Sequence, residues 1–148
     1  MFDSRNGLRQ GYLEIFSGRF VFPTMREEVF RATFPEAGAF SATVDSTHYA
    51  IDPTDISAIC GFSATIRFKF GKVWLVELTH RRVCEAEWDI PRSVIKVVLD
   101  EQGDWLRLML GEEAEVLRVD GHIGFSWGTV TSMVHPIDRL PVIIVRYQ

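Results

Sequence analysis

Cysteine is scarce in this chain, and the sequence has none of the residue spacings that bind a structural metal. The 148 residues include two cysteines, Cys60 and Cys84, which form neither a C-x-x-C pair nor a zinc-type pattern. The four histidines show no H-x-x-x-H spacing either. We therefore expect two reduced thiols packed as small apolar side chains, no metal site and no cofactor.

Catalytic motifs are missing as well. Ser126 in "GFSWG" lacks the G-x-S-x-G pattern of a nucleophilic serine, and no glycine-rich loop carries the lysine of a phosphate site. Carboxylates crowd together from Glu77 to Asp89, but Arg81 and Arg82 lie among them, as in an ordinary solvated rim. The sequence thus offers no catalytic residues, and we expect a protein that is not an enzyme.

The sequence also lacks long apolar runs and an excess of basic residues. No stretch approaches the roughly 18 to 20 apolar residues of a membrane span, and the first residues do not read as a secretory leader. The net charge of −4 has the wrong sign for a general nucleic-acid binder. The length and a hydrophobic content of 47% predict one globular domain, residues 1–148, in the cytoplasm. We expect neither a membrane nor nucleic acid as a partner.

Acidic residues, in contrast, are concentrated in one part of the chain. Residues 100–120 contain seven carboxylates against two arginines. Such a window is either a solvated surface or the contact face for a basic partner. On the second interpretation, six of these carboxylates form a predicted protein-binding site: Asp100, Glu101, Asp104, Glu112, Glu113 and Glu115.

The clearest structural pattern is a β-hairpin. "FSATIRFKF" and "VWLVELTH" alternate apolar and polar residues, and the Gly71-Lys72 pair between them is typical of a tight turn. The segments "AFSATV", "TVTSMV" and "PVIIVRY" are rich in strand-forming residues and predict three further strands. The segment "DPTD", residues 52–55, predicts a turn.

Two segments have helical patterns. In "PTMREEVFRATF", Thr24 and Glu27 predict a capping box at the start of a helix. Four apolar residues follow at helical spacing: Met25, Val29, Phe30 and Phe34.

Residues 92–110 fit two structures. Pro91 and Gly111 suit the two ends of a helix, whereas the β-branched residues and Gly103 favour a hairpin that turns at "DEQGD". We favour the helix. The predicted fold is then α+β, with an antiparallel sheet of five or more strands and two helices packed on one face.

The C-terminal stretch "GFSWGTVTSMVHPIDRLPVIIVRY" contains two residues of special interest. Trp127 is interpreted as a core anchor, with a ligand-binding or partner-binding surface as the alternative. Gly128 would allow a close approach to another backbone, or a positive φ.

This stretch resembles the C-terminal signature of a family of small bacterial proteins, with the pattern F-x-W-G-x-V-x-S, a turn, and a strand ending I-x-x-R-Y. The matching residues are Phe125, Trp127, Gly128, Val130, Ser132, Asp138, Arg139, Ile144, Arg146 and Tyr147. The segment "DWLRLMLG" is similar to the family's W-L-x-x-x-L-G segment, and that segment looks helical. The turn "HPIDRL" departs from the usual aspartate-proline order. The family's members resemble immunity proteins of polymorphic toxin systems, including contact-dependent growth inhibition systems.

Three functional hypotheses follow. The resemblance implies a non-catalytic immunity protein that occludes a toxin domain, and the acidic window would face the basic surface of that partner. A second hypothesis is a small-ligand-binding protein or an enzyme with a pocket lined by Trp74, Trp88 and Trp127. A third is a homodimer formed through an edge strand such as "PVIIVRY".

Overall fold

The computed structural model describes residues 7–52, 61–85, 90–112, 114, 121–137 and 139–148. The chain contains nine strands and three α-helices within these residues. The strands are β1 Leu13–Phe16, β2 Arg19–Val21, β3 Gly38–Ala42, β4 Ser46–Ile51, β5 Phe62–Lys69, β6 Lys72–His80, β7 Gly121–Phe125, β8 Gly128–Val134 and β9 Pro141–Tyr147. The helices are α1 Glu27–Thr33, α2 Arg81–Glu85 and α3 Arg92–Leu110. The predicted turn at residues 52–55 lies mostly outside the described residues.

Seven strands form one antiparallel sheet in the order β3-β4-β5-β6-β9-β8-β7, and β1 pairs with β2 in a small separate sheet. The prediction of an α+β fold with an antiparallel sheet of five or more strands is therefore confirmed. The strand "PVIIVRY" is not an edge, however, because β9 pairs with β6 on one side and with β8 on the other. Its apolar residues are those of a central strand. Within the described residues, the edges of the seven-stranded sheet are β3 and β7.

The predicted hairpin of β5 and β6 is confirmed, but its tight turn is at Phe70-Gly71, one residue earlier than the predicted Gly71-Lys72 pair. Phe70 and Gly71 both have positive φ, 53° and 76°, as the two central residues of a type I′ turn require. Ile66 and Phe68 face the core with no exposed surface. The register shifts opposite Trp74, so this residue is a bulge rather than part of the simple alternation expected from the sequence.

The first helix begins later than predicted, and the capping box is absent. Arg26 is extended, with ψ of 151°, and forms a backbone bridge with Lys72 at the start of β6. This pairing holds the chain away from helical geometry until Glu27. The hydroxyl of Thr24 instead donates to the carbonyl of Pro23, and Glu27 accepts a hydrogen bond of 2.6 Å from the Tyr49 hydroxyl. Burial and this hydrogen bond raise the pKa of Tyr49 to about 12.

The helical interpretation of residues 92–110 is confirmed. The helix α3 covers the whole segment, with Pro91 as its N-cap and Gly111 as its C-cap at φ 78°. Its inward side consists of four buried residues one turn apart: Val98, Gln102, Leu106 and Leu110. Three of these four residues are apolar, and their burial outweighs the low helix propensity of the β-branched residues, because tertiary packing supplies most of a helix's stability.

Helices α1 and α3 pack on the same face of the sheet. The ring of Phe30 on α1 lies 5.0 Å from the rings of Tyr49 and Phe68. The ring of Trp105 on α3 lies 5.4 Å from that of Phe62. Phe62 and Phe68 alternate with polar residues along β5 and so point to one side of the sheet. The core is therefore a helix layer on a sheet layer. Among the described residues, no helix is both long and apolar enough to cross a membrane.

Candidate functional site

Four of the six carboxylates of the predicted binding site are among the described residues, and these four do not all face the same way. Asp100 and Asp104 lie on the exposed side of α3, and Glu112 is exposed just beyond its end. Glu101 turns instead toward the sheet, where it meets the side chain of His80. Glu113 and Glu115 lie outside the described residues. The described acidic surface is thus Asp100, Asp104 and Glu112.

Apolar side chains share this exposed side of α3. Val97 and Leu108 are 40% and 60% exposed, and they lie one turn before and after the acidic pair. Residues 97, 100, 104 and 108 fall on one stripe of a helix with 3.6 residues per turn. The outer face of α3 therefore combines two exposed apolar residues with two carboxylates, and the exposed Lys96 and Arg107 lie about one turn from Asp100 and Asp104. The acidic pair lies at the centre of this stripe with an apolar side chain on either side, so the face offers both charge and apolar area to a protein partner.

A pocket with mixed polar and apolar walls lies between the start of β5, the end of β6 and the middle of α3. It has a volume of about 440 Å³ and is lined by Gly61, Phe62, His80, Arg81, Arg82, Glu101 and Trp105. The sequence pattern positions these groups: β6 ends at His80, α2 starts at Arg81, and Glu101 and Trp105 are one turn apart on α3. The pocket is thus built from two strands and two helices, and α3 is the element that is distant in sequence from the others.

His80 is the most enclosed polar group in this pocket, with a side chain only 8% exposed. Its Nδ1 accepts a hydrogen bond of 3.1 Å from the backbone N–H of Arg82. A backbone N–H can only donate, so the ring proton of the neutral imidazole is on Nε2, which donates to the Glu101 carboxylate. Both ring nitrogens are therefore in use, and His80 orients Glu101 rather than facing the open pocket.

The three tryptophans expected to line a ligand pocket belong to separate segments, and only two of them are among the described residues. Trp88 lies outside the described residues, Trp74 is at the bulge of β6, and Trp127 is in the turn between β7 and β8. The described pocket uses Trp105 instead. The sequence analysis did not predict this role for His80 and Arg82, because it considered the histidine only as a metal ligand and the arginine only as part of a solvated, charged rim.

The predicted role of Trp127 as an anchor agrees with its contacts. Its ring stacks 5.3 Å from that of Phe125 and lies 5.4 Å from that of Tyr147, packed against the main core. Its indole Nε1 donates a hydrogen bond of 2.8 Å to the carbonyl of Arg9. Trp127 thus joins the C-terminal strands to the first described residues, and its side chain is partly buried.

We expect Trp127→Ala to lower the free energy of unfolding by about 2 to 3 kcal/mol, since a half-buried ring and one hydrogen bond are lost. Trp127→Phe keeps the ring stacking and should cost about 1 kcal/mol. Urea unfolding measures both. A loss below about 0.5 kcal/mol for the alanine variant would mean that the ring contributes little to the core.

A second polar cluster lies on the face of the sheet away from the helices. Arg67 pairs with Glu77 across β5 and β6 at 2.8 Å, and its Nη1 lies 3.2 Å from Nδ1 of His48. Burial and the Arg67 guanidinium lower the pKa of His48. Arg67 and Glu77 satisfy each other across the strands, so this cluster is a cross-strand ladder rather than a site. Across the described ranges, no group of three or more His, Cys, Asp or Glu side chains could hold a metal ion.

Comparisons with known proteins add no relative: no protein-family model, curated protein or solved structure matches this chain.

Proposed function

We propose that this chain is a non-catalytic, cytoplasmic binding protein of the immunity type, which occludes a basic toxin domain with the outer face of α3. The observation that carries the proposal is the composition of that face. Asp100 and Asp104 lie beside the exposed Val97 and Leu108 on one stripe of the helix. The resemblance of the C-terminal strands to an immunity-type family supports the same function.

The two kinds of side chain would contribute differently to binding. Carboxylates act over distance and raise the rate at which a cationic surface is captured. The apolar pair would be buried in the complex and slow its dissociation. A basic partner is expected because Asp100 and Asp104 face outward. Glu101, which lies between these two residues in sequence, is instead engaged by His80.

The first test is whether the chain protects cells. The gene beside the one that encodes this chain is expressed alone and together with it in a bacterial host. We expect the neighbouring product to stop growth, and growth to return when this chain is present. A neighbouring product that is harmless, or a toxic one that the chain neither binds nor neutralises, would contradict the proposal.

The second test concerns the acidic residues. Reversing charge in Asp100→Lys/Asp104→Lys should slow association with that partner at least tenfold at low salt, because the attraction becomes repulsion. The difference should shrink as salt rises, since the Debye length falls from about 30 Å at 0.01 M to about 10 Å at 0.1 M. Stopped-flow measurement of the association rate checks both effects.

A matched control separates this local effect from net charge. Glu28→Lys/Asp45→Lys changes the net charge equally at exposed positions on α1 and in the β3–β4 turn. We expect the control to associate within about twofold of wild type, because these residues lie elsewhere on the molecule. Equal slowing by both double variants would mean that the outer face of α3 is not the contact surface.

A further inference from the structure

We propose that the pocket between β5, β6 and α3 binds a small organic anion, with a flat apolar ring and a carboxylate or phosphate head. This goes beyond the proposed function, because the ligand has the opposite charge to the partner expected on α3. The proposal depends on the size of the pocket, on its aromatic wall and on its charges.

The size and wall of the pocket suit a ring. Its volume of about 440 Å³ lies within the range of sites that bind small molecules, roughly 300 to 1,000 Å³. Phe62 contacts Trp105 at 5.4 Å between ring centroids, and it also contacts His80 edge-on at 5.5 Å. Phe62 and His80 are buried behind this wall, and the partly exposed Trp105 gives one side of the pocket an aromatic surface on which a flat ligand can stack.

The charges of the pocket favour an anion. Two arginines, Arg81 and Arg82, line it against one carboxylate, Glu101. His80 adds no positive charge while its Nδ1 accepts from the backbone, and its Nε2 N–H occupies one oxygen of Glu101. Among the described residues, the lining therefore has one more cationic than anionic side chain, in a chain whose net charge is −4.

Arg82 is the group that would hold the head of the ligand. Its side chain is 56% exposed, and its Nη2 lies 3.8 Å from Oε1 of Glu101. That distance is longer than a hydrogen bond, so this contact leaves the guanidinium N–H groups available. A guanidinium binds carboxylate and phosphate oxygens through paired N–H donors. The pocket thus offers a donor fork beside an aromatic wall.

The test uses benzoate and benzamide, which have the same shape but differ in charge. Binding is followed by NMR of the indole N–H groups, with the Trp105 signal assigned from a Trp105→Phe sample. We expect benzoate and phenyl phosphate to shift the Trp105 signal in a saturable way, and benzamide to bind at least fivefold more weakly. Inorganic phosphate, which lacks the ring, should also bind more weakly than phenyl phosphate.

Two variants test the roles of the charged residues. Arg82→Gln should weaken benzoate at least tenfold and leave benzamide unchanged, whereas Arg26→Gln on the exposed start of α1 should change neither. Glu101→Gln should strengthen benzoate, because an opposing charge is removed. Equal binding of benzoate and benzamide, no effect of Arg82→Gln, or no saturable shift of Trp105 would each overturn the proposal.

Discussion

Gly128→Ala is expected to destabilise the protein by about 3 to 5 kcal/mol. Gly128 starts β8 and pairs with Tyr147 of β9, at a φ of 156°. A Cβ built on this glycine overlaps the carbonyl oxygen of Arg146 and lies 3.1 Å from the Cα of Tyr147. The obstacle is backbone of a central strand and cannot rotate away as a side chain could. Overpacking costs about 1 to 3 kcal/mol, and a backbone conformation reserved for glycine adds a similar amount.

Gly124→Ala is the matched control for this prediction. Gly124 lies in the same hairpin, on β7, and a Cβ there meets no atom within 4 Å. We expect this variant to change the free energy of unfolding by less than about 0.5 kcal/mol. Urea unfolding, compared at equal m-value, measures both variants. If the two substitutions had equal effects, β8 and β9 would not approach each other as closely as in this structure.

The sequence predicted elements whose signals are local. The β5–β6 hairpin has alternating residues on both strands and a turn that requires positive φ, and the structure has the turn at Phe70 and Gly71. Gly128 was expected to allow a close backbone approach or a positive φ, and it has both. For residues 92–110 the sequence fits both a helix and a hairpin, because the β-branched residues oppose the helical apolar stripe. Packing of the stripe against the core stabilises the helix.

Features that depend on distant residues could not be predicted. The prediction of a capping box was wrong because Arg26 pairs with Lys72, a residue far from it in the sequence. The inward orientation of Glu101 could not be predicted for the same reason, because its partner His80 lies 21 positions earlier in the sequence. Residue spacing in the sequence indicates a binding site only when its residues lie in one helix or strand, whereas the side chains of this pocket come from two strands and two helices. Its one local signal was the His80-Arg81-Arg82 run at the end of β6.

The short helix α1 depends on a single aromatic side chain. A helix of seven residues is not stable alone in water, so Glu27–Thr33 must be held by tertiary contacts. Phe30 is its one buried residue, with no exposed surface. Its ring lies 5.0 Å from each of three others, those of Phe34, Tyr49 and Phe68. This cluster joins α1 to β4 and β5 at one end of the sheet.

We therefore expect Phe30→Ala to lower the free energy of unfolding by about 3 to 5 kcal/mol, from lost burial and from the cavity that remains. Because domains of this size are stable by only about 5 to 15 kcal/mol, the variant should unfold at a much lower urea concentration. Val29→Ala is the control, since Val29 is the preceding residue of the same helix but is 45% exposed. Val29 was predicted to lie on the apolar face of the helix. Because it is exposed, we expect Val29→Ala to change the free energy of unfolding by less than about 0.5 kcal/mol. A loss below about 1 kcal/mol for Phe30→Ala would show that α1 is held to the sheet by other contacts.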